Sequence, residues 1–311
     1  SIKQPTHNEQ YRLWDSGADF SSGSGFNYFA SSTGYVSLSS YSLSNFFTET
    51  FADNPSIIVT TNTLVNPSWY GTSSGVGSSY ALGNHFINRA QASGGSRYSV
   101  IVSTDFVHKS TTGYTISFNA DLGPSIASGL SGGWVSVSAL GVIGTTYTLY
   151  SGYGYEAAFS KPNPTSAAVI YGAKCAYYGI NGNTCVSNGC QINLSASDIS
   201  SYVSATVFTN GDMVISTGTG SAKYCSASMF TTGTAGEIGE NHEVNYIKVY
   251  TNAVNQPGAS TAYSEISNIY ISSNGFNTSG YYASQVSTAT DLSLWKTFDT
   301  DQTLNGQTIA Y

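Results

Sequence analysis

The residues with the most distinctive chemistry are four cysteines, Cys175, Cys185, Cys190 and Cys225, three of them inside one Gly/Asn-rich stretch, KCAYYGINGNTCVSNGC. Four thiolates would hold zinc, but the paired C-x2-C knuckles of structural zinc sites are missing. Two disulfides formed in an oxidising compartment are the better reading. Of the three connectivities that four cysteines allow, the expected one joins Cys185 to Cys190 across a short loop. Cys175–Cys225 then ties that stretch to a later strand.

Carboxylates and imidazoles are sparse. Glu237, Glu240 and His242 in EIGENHE could serve as acid and base or ligate a metal, but a solvated acidic turn explains them more simply. His7, His85, His108 and His242 show no H-E-x-x-H or H-x-H spacing, which leaves a catalytic metal unsupported. The neighbourhood of Asn84, His85 and Arg89 (GNHFINRA) is a candidate polar patch, with a buried, hydrogen-bonded histidine as the simpler expectation. GTSSGVGSS and STGTGSAK lack the phosphate-loop pattern and read as loops, and no G-x-S-x-G elbow presents a nucleophilic serine. With no catalytic constellation, the chain reads as non-enzymatic.

Aromatic rings in polar segments are the remaining chemistry. Trp69, Tyr70, Tyr80, Tyr147, Tyr150, Tyr153, Tyr155, Tyr177 and Tyr178 sit in or beside Gly/Asn/Ser-rich stretches. Sugar C–H faces stack on such rings while Asn and Asp bind hydroxyls, so these segments suit a cell-surface glycan. Trp69, Tyr70, Tyr153, Tyr155, Tyr177 and Tyr178 are the candidate ligand-binding residues. The same residue types also suit a subunit interface or plain packing on a sheet.

The elements that must position these residues are strands. Of 311 residues only 10 are Lys or Arg and 17 Asp or Glu, so 9% of the chain is charged and the net charge is −7. A nucleic-acid binder needs a basic footprint and a helical bundle needs far more Ala, Glu, Lys and Leu; both are excluded. No apolar run reaches the roughly 18 residues of a membrane-spanning helix, so membrane insertion is not expected. Segments such as SIIVTTNTL, YSVIVST, YTISFN and WVSVSAL are β-branched or aromatic and often alternate. Asn210-Gly211 between VSATVF and MVIST is the clearest hairpin, and Ala196–Tyr202 is the one segment resembling a helical turn.

The expected fold is all-β, an antiparallel β-sandwich of jelly-roll type with flanking small β regions. The regions are an N-terminal β-rich segment (1–45), the sandwich (46–252), a polar linker (253–262) and a C-terminal β module (263–311). That last module is too short to be self-sufficient. It would be completed by strands from elsewhere or by chain beyond Tyr311. FSSGSGFNYFASSTGYVSL and FNTSGYYASQVSTATDLSL also show a faint internal similarity.

Glu243-Val244-Asn245-Tyr246-Ile247-Lys248-Val249-Tyr250 resembles the final strand of concanavalin-A-like lectin/glucanase sandwiches, which in laminarinase-type glucanases reads E-I-D-Y-V-R-V-Y. Phe46–Asp53 (FFTETFAD) is similar to the first strand of the same fold, and the family implies that these terminal strands pair. SGYYASQV and LWKTFDTDQTLNGQTIAY are similar to a small β module of phage tail and fibre proteins. Glucanase activity is not implied, because the E-x-D-x-x-E strand with its closely spaced carboxylates is absent.

These resemblances imply a non-enzymatic virion structural or host-attachment protein, a phage tail, fibre or decoration component. It would be extracellular, would assemble as a homo-oligomer or with other virion subunits, and would bind a cell-surface glycan through its sandwich. A secreted adhesin or filament subunit assembled by strand complementation is the alternative, and a polysaccharide-degrading enzyme a further one. No cofactor is implied. Lectin-like sandwiches do often hold structural calcium, for which Asp299, Asp301, Asn305 and Gly306 in DTDQTLNGQ are the nearest match, though a turn explains that segment as well.

Overall fold

The computed structural model describes residues 24–26, 28–30, 36–38, 40–52, 59, 63–66, 69–75, 77–90, 95–103, 108–109, 113–123, 131–141, 152–162, 166–178, 183–218, 220–230, 243–255, 262–276 and 281–283. These divide into two units. The smaller takes residues 1–37 and 280–311. In it β1 (Ser24–Phe26) pairs antiparallel with β23 (Tyr281–Ala283), and β2 (Tyr28–Ala30) pairs with β3 (Val36–Leu38). The two stretches with internal similarity thus contribute strands that pair with each other.

The larger unit, Leu38–Ser279, is an antiparallel two-sheet sandwich. The eight-stranded sheet runs β19 (Ala222–Cys225), β18 (Met213–Thr217), β17 (Ser200–Val207), β11 (Tyr114–Asp121), β22 (Tyr263–Phe276), β8 (His85–Ala90), β7 (Gly77–Leu82), with β4 (Ser40–Glu49) also on β22. The nine-stranded sheet runs β15 (Asn183–Val186), β14 (Val169–Tyr177), β13 (Gly152–Lys161), β12 (Ser131–Gly141), β21 (Tyr246–Asn255), β9 (Gly95–Ser103), β6 (Trp69–Gly75), β5 (Thr63–Asn66), with β16 (Gln191–Asn193) also on β14. A short ladder joins β10 (His108–Lys109) to β20 (Glu243–Val244).

Alternation builds the core. Val135, Val137 and Ala139 of β12 and Ile247 and Val249 of β21 face Ile116 and Phe118 of β11 and Ile266, Ile269 and Ile271 of β22 in one buried cluster. At one edge Arg97 is buried yet satisfied: its guanidinium donates to Ser79 Oγ (2.9 Å), the Gly75 carbonyl (3.1 Å), the Val59 carbonyl (3.2 Å) and Ser73 Oγ (2.8 Å). Pairing the donors in this way offsets the cost of burying the cation.

Several expectations change at this level. The boundary at 253–262 falls within the sandwich: β21 runs to Asn255, and β22 lies between β11 and the β8/β4 edge. β21 belongs to the nine-stranded sheet and β22 to the eight-stranded one, both within the larger unit, Leu38–Ser279. The expected pairing of the Phe46–Asp53 strand with the Glu243–Tyr250 strand does not form: β4 pairs with β22, while both edges of β21 are taken by β12 and β9. GTSSGVGSS is not a loop; it spans β6 and β7, passing from one sheet to the other between Gly75 and Gly77, both at positive φ. Ala196–Tyr202 forms one turn, with the Ser195 N–H donating to Asp198 Oδ2 (2.8 Å), and then enters β17. The Asn210-Gly211 hairpin forms as expected, with Gly211 at φ 86°.

The cysteine pairing is also corrected. The disulfides are Cys175–Cys185 and Cys190–Cys225. Cys175 and Cys185 stand directly opposite each other in the β14–β15 ladder. Cys190, buried in the core, faces Cys225 of β19 on the other sheet. With all four sulfurs paired, no thiolate is left for zinc.

Candidate functional site on the outer face of the nine-stranded sheet

Strands of this sheet alternate between the core and a second buried cluster. That cluster holds Val100, Val102, Leu140, Ala173, Cys175, Tyr177 and Tyr246, with Tyr171 and Tyr250 packed against it. Because strand residues two apart share a face, β12 presents Trp134, Ser136 and Ser138 here, β21 presents Lys248, Tyr250 and Asn252, and β13 presents Glu156. The register aligns them in rows across the sheet. One row reads Tyr98, Asn252, Trp134; the next Val100, Tyr250, Ser136, Ala158, Tyr171; the third Val102, Lys248, Ser138, Glu156.

The first two rows carry a band of four rings. Tyr98 stacks on Tyr250 (6.3 Å between centroids), Trp134 meets Tyr250 edge-on (5.7 Å), and Trp134 meets Tyr171 edge-on (5.7 Å). All four are partly exposed. The indole Nε1 of Trp134 and the Oδ1 of Asn252, opposite in the register, are buried without hydrogen-bond partners.

The third row is charged and buried. Glu156, 2% exposed, accepts hydrogen bonds from Ser136 Oγ (2.9 Å), Ser138 Oγ (3.1 Å), Tyr171 Oη (3.3 Å) and Tyr177 Oη. Lys248, 1% exposed, holds its Nζ 3.6 Å from the centre of the Tyr177 ring, with no hydrogen-bond partner. Burial pushes the Glu156 carboxyl above the ordinary carboxylate range, against the hydroxyl donors and Lys248, which pull it down. Burial lowers the Lys248 ammonium to about 7, with the Glu156 charge opposing. The Tyr171 and Tyr177 hydroxyls are driven up by burial and then by Glu156. Tyr250 is raised to about 12 by burial and then by Tyr98 and Glu156.

The Glu156 carboxylate lies within 4.8 Å of the Cys175 and Cys185 sulfurs, the one such group of potential metal ligands among the described residues. Both sulfurs are spent in the disulfide, so this group does not form a metal site.

The expected ligand-binding residues are dispersed. Trp69 and Tyr155 are corrected to core positions, each 1% exposed. Trp69 stacks on Phe51 and donates its indole N–H to Glu49 Oε2 (2.7 Å), while Tyr155 packs edge-on to Phe230. Their strand parity turns them inward, which a loop-like local composition hides. Tyr177 belongs to the Glu156 network, Tyr70 lies at the far end of the third row beside Val102, Tyr153 packs on Ala176, and Tyr178 is 61% exposed. His85, expected buried, is half-exposed and pairs with Glu265. Glu237, Glu240, His242, Tyr147, Tyr150, Asp299, Asp301, Asn305 and Gly306 lie outside the described residues. Tyr98, Trp134, Glu156, Tyr171, Lys248 and Tyr250 were missed. Their signal was present in WVSVS and YIKVY, where the residues between the apolar ones are themselves aromatic or hydroxyl-bearing.

No protein-family model and no curated protein sequence matches this chain. Among solved structures it is similar to one described with endo-acting O-glycanases that human gut microbes use to initiate mucin breakdown (12% identity, TM-score 0.43, covering 74% of this chain and 99% of that one). Another is an endo-1,3-beta-glucanase from Streptomyces sioyaensis (10% identity, TM-score 0.41, 74% and 96%). A third is the CBM2 module of the evolved Dit of Lactobacillus casei BL23 phage J-1 (10% identity, TM-score 0.41, 75% and 96%).

Proposed function

We propose that this chain is an extracellular carbohydrate-binding β-sandwich that serves in attachment to a glycan-coated cell, as a component of a virion surface. The observation that carries the binding reading is the partly exposed band of Tyr98, Tyr250, Trp134 and Tyr171, in mutual contact on one sheet face. Rings held by sheet register stack on sugar C–H faces with little ordering cost. Two disulfides fit an oxidising, extracellular setting. The attachment role in a virion rests on the phage-like motifs SGYYASQV and LWKTFDTDQTLNGQTIAY of the C-terminal module.

Binding is favoured over cleavage by the carboxylate count. Glycoside hydrolysis uses two carboxyl groups, about 5 Å apart in retaining enzymes and roughly 6.5–9.5 Å in inverting ones. Among the described side chains of this face Glu156 is the single carboxylate, and its oxygens already accept hydroxyl hydrogen bonds. The test is sedimentation with, or calorimetric titration against, purified bacterial cell-surface polysaccharides, with reducing-sugar release followed in parallel. Binding without release is expected. Release of reducing ends, or failure to bind any of them, overturns the reading.

A further inference from the structure

A second polar hollow lies on the opposite sheet, at the ends of β8, β11 and β17 and along β22. Asn84, His85, Asn119, Asp121, Tyr202 and Glu265 line an open hollow of about 450 Å3. The register sets Asp121 directly opposite Glu265, and Asn119 opposite Tyr202. Two carboxylates face to face in neighbouring strands repel each other, and among the described residues only one of them has an imidazole beside it: His85 pairs with Glu265. Asp121 accepts only the Gly123 N–H (2.7 Å), with no Lys or Arg on it among the described residues. Burial, followed by the opposing pull of His85 and the push of Asp121, leaves the Glu265 carboxyl raised above its ordinary value. Beside these charges Tyr202 presents an aromatic face that is 42% exposed.

We propose that this hollow is a second carbohydrate site, and that it takes a glycan carrying free, protonated amino groups. An acidic floor with an unpaired carboxylate favours an ammonium group and disfavours uronic or sialic acids. The Tyr202 ring stacks a pyranose and also attracts the adjacent cation. Asn84 and Asn119 offer amides to the ring hydroxyls. The site lies on the sheet opposite the aromatic band, so it stands or falls independently of that band.

The test is titration of the full chain with a fully deacetylated glucosamine oligomer, and separately with its N-acetylated counterpart and an oligogalacturonate of equal length. The glucosamine oligomer is expected to bind at least about tenfold more tightly than either, and to weaken as salt is raised. Asp121→Asn and Tyr202→Ala should each cost about tenfold while the melting temperature is retained. Saturation with a neutral polysaccharide should leave amino-sugar binding in place. Equal binding of the acetylated oligomer, an unaffected Asp121→Asn variant, or displacement by the neutral polysaccharide would each overturn the proposal. A chain that binds the amino sugar but no neutral polysaccharide would sink the aromatic-band reading and leave this one standing.

Discussion

Trp134 and Trp69 show how one residue type takes opposite roles according to strand parity. Trp69 is a core residue anchored on Glu49, whereas Trp134 stands on the outer face among tyrosines. Replacing Trp134 or Tyr250 by alanine is expected to weaken polysaccharide binding about tenfold, roughly 1.4 kcal/mol, through loss of one stacking ring. Calorimetry would read that loss, with circular dichroism confirming the fold. Lys248 belongs to stability more than to binding. Its folded-state value of about 7 lies below the ordinary 10.5, so the native chain holds fewer protons than the unfolded chain between these values. Stability contributed by this lysine is therefore greatest above 10.5 and falls as pH drops toward 7, on the order of a few kcal/mol. Lys248→Met should flatten that slope between pH 7 and 10 in urea unfolding monitored by fluorescence. An unchanged slope would mean that the ammonium reaches water in the folded state.

At the scale of elements, individual strands were legible because β-branched and aromatic residues alternate along them, and the Asn210-Gly211 turn was legible because its local chemistry is self-contained. The face of each strand and its neighbours were not. Both faces of β12, β14 and β21 are buried or aromatic, so alternation alone cannot say which is the core. The cysteine pairing failed for a related reason: proximity in sequence favoured Cys185–Cys190, while the ladder register opposes Cys175 to Cys185. The two disulfides should differ in weight. Cys190–Cys225 closes 35 residues and crosses between sheets, and Cys175–Cys185 closes 10 within one hairpin. Chain-entropy arguments put their contributions at roughly 4 and 3 kcal/mol. Removing the former pair by serine substitution should therefore lower the melting temperature more, as scanning calorimetry would show; the reverse order would contradict the cross-sheet role.

At the scale of the molecule, the decisive strand is β22. It pairs with β11 on one side and with β4 and β8 on the other, so it closes the eight-stranded sheet between segments far apart in sequence. A chain ending at residue 252, the boundary that composition suggested, is expected to fail to fold, because Ile266, Ile269 and Ile271 leave the core with it. A chain spanning 38–279 is expected to fold, with an all-β spectrum and both disulfides formed. Expression of the two fragments and their circular dichroism would check this, and a well-folded 1–252 fragment would refute it.

The sequence by itself determined the all-β class, the strand segments and the presence of paired cysteines. Each follows from local propensity, period-two alternation or bulk composition, which neighbours along the chain suffice to specify. Only the tertiary structure decided that Glu156, Lys248 and four aromatic rings share one sheet face, that Trp69 and Tyr155 do not, and that the sandwich extends through Phe276. Those outcomes depend on the register between strands far apart in sequence, as when Ser117 meets Tyr270, 153 residues on, or Ile269 pairs with Glu49. A shift of one residue in that register would turn every such side chain to the opposite face.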